Sequence, residues 1–226
     1  MNVYYAQKSN FLKLLDVFLR ENNLIKRPKT FSFTPYIIGL DNNTISISAG
    51  FLHAPFFNAQ SIVEKYAIVG WFISRQLMYE IAMYNDRNLL KNGQVLFESI
   101  CNSSVLTSFE VQLCCLSRRY SSMIFEKDDL ETLSADINGL MLSFETYKTT
   151  YMRKLEDLID EKSFFATFAK MMNKDLSSYL VHAVSNSSKP SFVFSLTDVL
   201  QHSQEFSDAY QCAVTTKMNH VNKCTL

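Results

Sequence analysis

Metal and nucleophile chemistry needs several donor atoms brought to one point, and the residue types that supply them are few in this chain. Its four histidines, His53, His182, His202 and His220, are scattered and share no ligand spacing. Each is therefore expected to be a surface or capping residue rather than a metal ligand. Five cysteines (Cys101, Cys114, Cys115, Cys212, Cys224) form no C-x-x-C pair and have no histidine at zinc-finger spacing. Their odd number requires that at least one be free or pair outside the chain. Asn42-Asn43-Thr44, Asn102-Ser103-Ser104 and Asn186-Ser187-Ser188 are N-glycosylation sequons, at a frequency that the Asn, Ser and Thr content generates by chance. Arg118-Arg119 reads as a solvated helix face and Met171-Met172 as core filler. The charges from Lys148 to Lys162 read as the exposed side of a long helix.

The elements that must position any site are mostly helical. With 226 residues, 47% hydrophobic and 19% charged, the chain has the composition of an ordinary globular protein with room for a sizeable core. Only five Gly and four Pro accompany 18 Phe and 11 Tyr, which favours long elements with few tight turns. Lys+Arg and Asp+Glu are equal at 22 each, so no net field draws nucleic acid or an anionic membrane. No stretch approaches the ~20 apolar residues of a membrane span, and the start Met1-Asn2-Val3-Tyr4 lacks the features of a signal peptide.

Helical spacing marks Phe11, Leu14, Leu15, Phe18 and Leu19. Alternation predicts strands at Phe31–Thr34 and Ile45–Ser48 with a turn over Gly39–Asn43, and Gly50 to Phe57 reads as a connector. A long helix comes next, with Ile62, Tyr66, Val69, Ile73, Leu77 and Ile81 on one face, broken by the polar run from Asn85 to Gly93. Val105, Phe109, Leu113 and Leu116 mark a second helix. The longest runs from Leu130 through Ile137, Phe144 and Tyr151 to Leu158, too aromatic for a coiled coil. Ser163 to Met172 is a short helix, Ser185 to Pro190 a loop, and Val199 to Cys212 a final helix. The expected fold is mainly α with a small β-hairpin. The domain reading is one unit over 1–226: an N-terminal helix and linker (1–30), a hairpin and connector (31–57) and a helical body (58–226).

Three stretches, in order, resemble the neprilysin family of zinc metalloendopeptidases. Asn43-Thr44-Ile45-Ser46-Ile47-Ser48-Ala49-Gly50-Phe51-Leu52-His53-Ala54-Pro55-Phe56-Phe57 is similar to the family's N-x-I-x-F-P-A-G-I-L-x-P-P-F-F strand and connector. Asp136-Ile137-Asn138-Gly139-Leu140, with Phe144 and Tyr147, is similar to A-D-N-G-G-L followed by A-Y-x-A-Y. Gln204-Glu205-Phe206-Ser207-Asp208-Ala209-Tyr210-Gln211-Cys212, then Met218-Asn219 and Lys223-Cys224, resembles the family's E-F-x-x-A-F-x-C ending. Phe164-Phe165 with Phe168-Ala169 adds a weaker match. The resemblance implies the C-terminal catalytic lobe of that family, a zincin-like α+β fold.

The same resemblance, with Tyr66 and Gly70 fixing the register, sets the family's H-E-x-x-H on Arg75-Gln76-Leu77-Met78-Tyr79. Two histidines four apart share a helix face and can hold one zinc ion. Arg75 carries a permanent charge and no lone pair to give. Tyr79 would donate only as a phenolate, and Gln76 keeps the shape of the general-base Glu without its basicity. The third ligand position falls on Thr132, with Glu131 one residue away and turned by about 100°. Asp136 matches the family residue that orients a ligating histidine. The substrate clamp falls near Pro35-Tyr36 and the transition-state histidine near Ser188-Lys189-Pro190, with His182 too early to match.

Zinc, the family cofactor, is thus expected to be lost, and a pseudopeptidase acting by protein or peptide binding is the function implied. The alternatives are an active zinc endopeptidase with non-standard ligands, and a piece of a longer family member. The Ile62–Ile81 segment then reads as a core helix, with Arg75 paired to Asp136 or Glu131 as a counter-charge. The resemblance further implies a disulfide from Cys224 to Cys114 or Cys115, leaves Cys101 as a substitute partner for Cys212, and points to an extracellular or membrane-associated setting.

Overall fold

A computed structural model of the chain describes residues 37–40, 44–47, 61–89, 101–102, 106–121, 127–152, 160–173 and 195–226. The expected helix at Phe11–Leu19, the strand at Phe31–Thr34, the connector from Gly50, the loop from Ser185, His53 and His182 lie outside the described residues.

Two short strands, β1 (Ile37–Leu40) and β2 (Thr44–Ile47), pair antiparallel with Ile37 opposite Ile47 and Leu40 opposite Thr44. Gly39 and Leu40, expected in the turn, belong to β1 instead, where Gly39 lies opposite Ile45. The β-branched Ile37-Ile38 pair favours the extended backbone of β1.

All other described elements are helices. Ser61 opens the first by accepting the Glu64 N–H at 3.2 Å, starting α1 (Ile62–Glu64). The chain then passes through a π-helical segment, Lys65–Gly70, into α2 (Trp71–Leu89). The Trp71 N–H reaches back to the carbonyls of Tyr66 and Ile68. A π turn inserts one residue and so rotates the rest of the helix by about 100°.

That rotation breaks the single apolar stripe expected along 62–81. Tyr66, Val69 and Ile73 are buried, but Ile62 and Ile81 are 39% and 47% exposed. In its place a consecutive run, Tyr66 to Ser74, is buried, and α2 continues through Asn85 to Leu89 past the expected break.

Helix α3 (Ser108–Arg119) begins at a reciprocal cap in which Thr107 Oγ1 accepts the Glu110 N–H and Glu110 accepts the Thr107 N–H at 2.7 Å. Helix α4 (Lys127–Met152) is the longest described, followed by α5 (Glu161–Asn173). The single helix expected over Val199–Cys212 is two: α6 (Leu196–Leu200) and α7 (Gln204–Ala209). The Ser203 hydroxyl captures the Phe206 N–H at 3.0 Å and restarts the helix there. Among the described residues no helix is long and apolar enough to cross a membrane.

The described parts of 1–74 and 139–186 form one compact unit, and those of 75–138 and 187–226 another. The first is built on aromatic rings. Phe144 stacks on Phe165 at 4.8 Å and Tyr147 on Phe164 at 5.4 Å, while Trp71 meets Phe168 edge-on at 5.2 Å. All six are buried, and each ring contributes on the order of 2 kcal/mol by leaving water. In the same unit Ser143 donates to the Tyr66 carbonyl at 2.6 Å, and a Cβ on Gly70 would meet that hydroxyl at 2.6 Å. The absent side chain at Gly70 is what lets α4 approach the π turn.

The second unit is cross-linked. Cys101 is bonded to Cys114 and Cys115 to Cys224, with Cα–Cα distances of 5.6 and 5.5 Å. Cys101 therefore does not substitute as partner for Cys212, which is the free thiol among the described residues.

Candidate functional site

Arg75, Gln76, Tyr79, Thr132 and Asp136 all lie in the second unit, the first three on α2 and the others on α4. Arg75 and Gln76 lie directly after the buried run that starts at the π turn. Asp136 sits in the middle of the buried stretch of α4, Leu133 to Leu140.

The guanidinium Nε of Arg75 donates to Oδ1 of Asp136, with both side chains 12% exposed. The pairing expected for Arg75 thus occurs at Asp136. Burial pushes the Asp136 carboxyl above its ordinary range, and the Arg75 charge and hydrogen bond pull against that rise. Gln76, 7% exposed, donates its amide to Glu80 Oε1 at 2.8 Å, one turn along the same helix. Tyr79 and Thr132 are half-buried, and Glu131 is 1% exposed.

A zinc ion needs neutral nitrogen, thiolate or carboxylate donors converging on one point. At these positions the chain presents a cation whose nitrogens only donate, and an amide whose N–H is directed at Glu80. Among the described residues no group of three or more His, Cys, Asp or Glu side chains converges as a metal site. The side chains here do not fit zinc. What they form instead is a shielded ion pair between two helices.

A second polar assembly, also within the second unit, ties the C-terminal segment to α3 and α4. Gln112 donates to Asn138 Oδ1 and to the Cys224 carbonyl, both at 3.1 Å. Its own oxygen accepts from Ser134 at 2.7 Å and from Asn138 at 2.8 Å, so this buried amide is fully engaged. Tyr120 donates to Asp198 Oδ1 at 3.1 Å and accepts from Gln201 at 2.7 Å. Burial, then the Asp198 charge, pushes the Tyr120 phenol far above its usual range, so it acts as a fixed donor.

His202, expected as a surface or capping residue, is fully buried and not at the surface. Its Nδ1 accepts the Cys224 N–H at 3.0 Å, which fixes the neutral tautomer with the proton on Nε2. Burial, with the Arg119, His220 and Lys223 charges, pushes its pKa down to about 3. His220 is half-buried and meets Gln201 Oε1 at 3.0 Å. Arg119 departs from the expected solvated face, since it is half-buried and donates to the Asn222 carbonyl, whereas Arg118 is exposed.

Sequence reasoning reaches Arg75 and Asp136 and misses Gln112, Ser134, Asn138, Tyr120 and Gln201. The one signal in the chain is Asn138, two residues beyond Asp136 in the stretch that carries the resemblance.

The comparisons with known proteins cover this whole region. A model of peptidase family M13 matches residues 38–226. Human neprilysin is 26% identical over 200 aligned positions, covering 80% of this chain and 26% of the relative; mouse neprilysin gives the same figures. Neprilysin-3 of Drosophila melanogaster is 25% identical over 243 positions, covering 97% of this chain and 29% of the relative. The chain spans between a quarter and a third of the length of these curated relatives. With the family model spanning both α2 and α4, this chain belongs to peptidase family M13.

Proposed function

We propose that this chain is a pseudopeptidase: an M13 lobe that binds a protein or peptide without hydrolysing it. The observation that carries the reading is the hydrogen-bonded pair of Arg75 and Asp136, at positions the resemblance gives to a zinc-ligating histidine and its orienting aspartate. Metal-assisted hydrolysis requires a Lewis acid to polarise the carbonyl and a base to take a proton from water. A guanidinium holds the first position, and the Gln76 amide cannot accept a proton at the second. Recognition of a peptide uses other groups and can outlast the chemistry.

The two disulfides support an extracellular or membrane-associated setting, because such bonds persist in oxidising compartments. The neprilysin relatives support it as well.

Metal analysis of the purified chain, alongside hydrolysis of a quenched-fluorescence peptide with and without chelator, tests the reading. The expected result is substoichiometric zinc and no chelator-sensitive cleavage. Stoichiometric zinc with chelator-sensitive hydrolysis overturns it. A variant carrying Arg75→His, Gln76→Glu, Tyr79→His and Thr132→Glu is expected to gain zinc, since those changes supply the missing donors at helical spacing.

A further inference from the structure

We propose that Arg119 and His202 together bind a small monovalent anion, of the size and charge of chloride, where the end of α3 meets the C-terminal segment. Two donors there, Arg119 Nη1 and His202 Nε2, are shielded from water and have no hydrogen-bond partner among the described residues. Neither can accept a hydrogen bond. A guanidinium carries five N–H groups and no acceptor. His202 uses Nδ1 to accept the Cys224 N–H, which leaves the proton on Nε2. Buried donors in native proteins are partnered, and buried charges are paired. Among the described residues no ion pair involves Arg119.

Both side chains are tied to the same short piece of backbone. Arg119 Nη2 donates to the Asn222 carbonyl, and His202 binds the N–H two residues on, at Cys224. Two residues span at most about 7 Å, so the guanidinium and the imidazole flank one stretch of chain. The surroundings are positive. Burial, and next the Arg119 charge, disfavours the protonated form of both His202 and His220. Asp198 is the acid whose charge bears on His202, but its oxygens are engaged by Tyr120 and Ser195. A water molecule could accept from both donors, yet its own two hydrogens would need acceptors in this cationic setting. A spherical anion accepts from both, brings no hydrogen, and supplies the counter-charge for Arg119. The full burial of His202 restricts the occupant to a small ion.

The test is made on the full chain, with sodium chloride replacing sodium gluconate at constant ionic strength. In the nitrogen-15-labelled native chain, the Nε2–H resonance of His202 is expected to move with chloride and to saturate. Because this readout needs no variant, an Nε2–H signal that stays fixed across the titration overturns the proposal outright. Urea melts over the same series give the second measurement. Above the dissociation constant, each tenfold rise in chloride is expected to multiply the folded-to-unfolded ratio by about ten, since the ion binds only the folded chain. Arg118→Gln, at the exposed neighbouring position, is expected to keep that dependence, and Arg119→Gln to lose it. A chloride dependence that is absent from the native chain, or that persists undiminished in Arg119→Gln, overturns the assignment.

Discussion

Replacing Arg75 by Met tests the substituted site most directly. The change keeps much of the side-chain bulk while removing the charge that faces Asp136 across two helices. Breaking a buried ion pair by deleting one partner costs about 3–5 kcal/mol, because the remaining charge is left uncompensated away from water. Both side chains retain 12% exposure, so the lower end, about 3 kcal/mol, is expected. Adding Asp136→Leu removes the stranded carboxylate and is expected to bring stability back to within about 1 kcal/mol of the native chain.

The pH dependence carries the same logic. Burial already holds the Asp136 pKa above 3.8, so the folded state binds this proton more tightly than the unfolded chain. Its contribution to stability is therefore fullest in acid, and is lost as pH rises through 3.8 toward the folded value. Without Arg75 the folded value climbs further, so the single variant recovers most of its deficit as pH falls. Urea melts of native, single and double variants, near neutral pH and again near pH 5, read both effects. If Arg75→Met and the double variant melt alike at neutral pH, the ion pair does not organise this site and the argument fails.

Two further outcomes rest on the geometry. His202 has a folded pKa of about 3 against an ordinary 6.5, so only the unfolded chain takes up its proton between those values. Stability is intact above 6.5 and is lost as pH falls, by about 1.4 kcal/mol per pH unit or about 2 kcal/mol at pH 5. His202→Asn, which keeps an acceptor for the Cys224 N–H, is expected to flatten that slope in melts taken across the window. Equal slopes refute the assignment. Gly70→Ala drives a Cβ to 2.6 Å from Ser143 Oγ and displaces a hydroxyl bonded to the Tyr66 carbonyl. The cost of a buried unsatisfied polar group, less the gain in helix propensity, leaves a net loss of about 1–2 kcal/mol. In a Ser143→Ala background the same change is expected to be neutral or stabilising. A loss that persists there places the conflict elsewhere.

How far the sequence can be read depends on the distance over which each feature is decided. Helical periodicity concerns neighbours three and four apart, and it locates α3, α4 and α5 to within a few residues at their described ends, while α2 runs on to Leu89, past the break expected from Asn85. It cannot show the π turn. That turn is held by Gly70 and by a hydroxyl 77 residues from the carbonyl it binds, so an apolar stripe drawn across it joins Ile62 and Ile81 to a face they do not share. The split between α6 and α7 is local and escapes for another reason: the apolar spacing continues across Ser203, and only the capping hydroxyl marks the break. His202 reads as a surface or capping residue because a lone histidine carries no spacing signal. Its burial is set by the return of Cys224 from 22 residues away.

The Arg75–Asp136 pair is the instructive exception, since its partners are 61 residues apart and are nonetheless legible. Charge makes the difference. A carboxylate on the buried face of a helix must be paired, hydrogen-bonded or protonated, and a permanent cation on another element is the partner that favours its ionised form, whatever the backbone geometry. Arg75 is the residue of opposite sign at the site where the resemblance places a metal. Apolar contacts impose no such one-to-one requirement, which is why the aromatic core can be foreseen as a composition but not as a set of pairs.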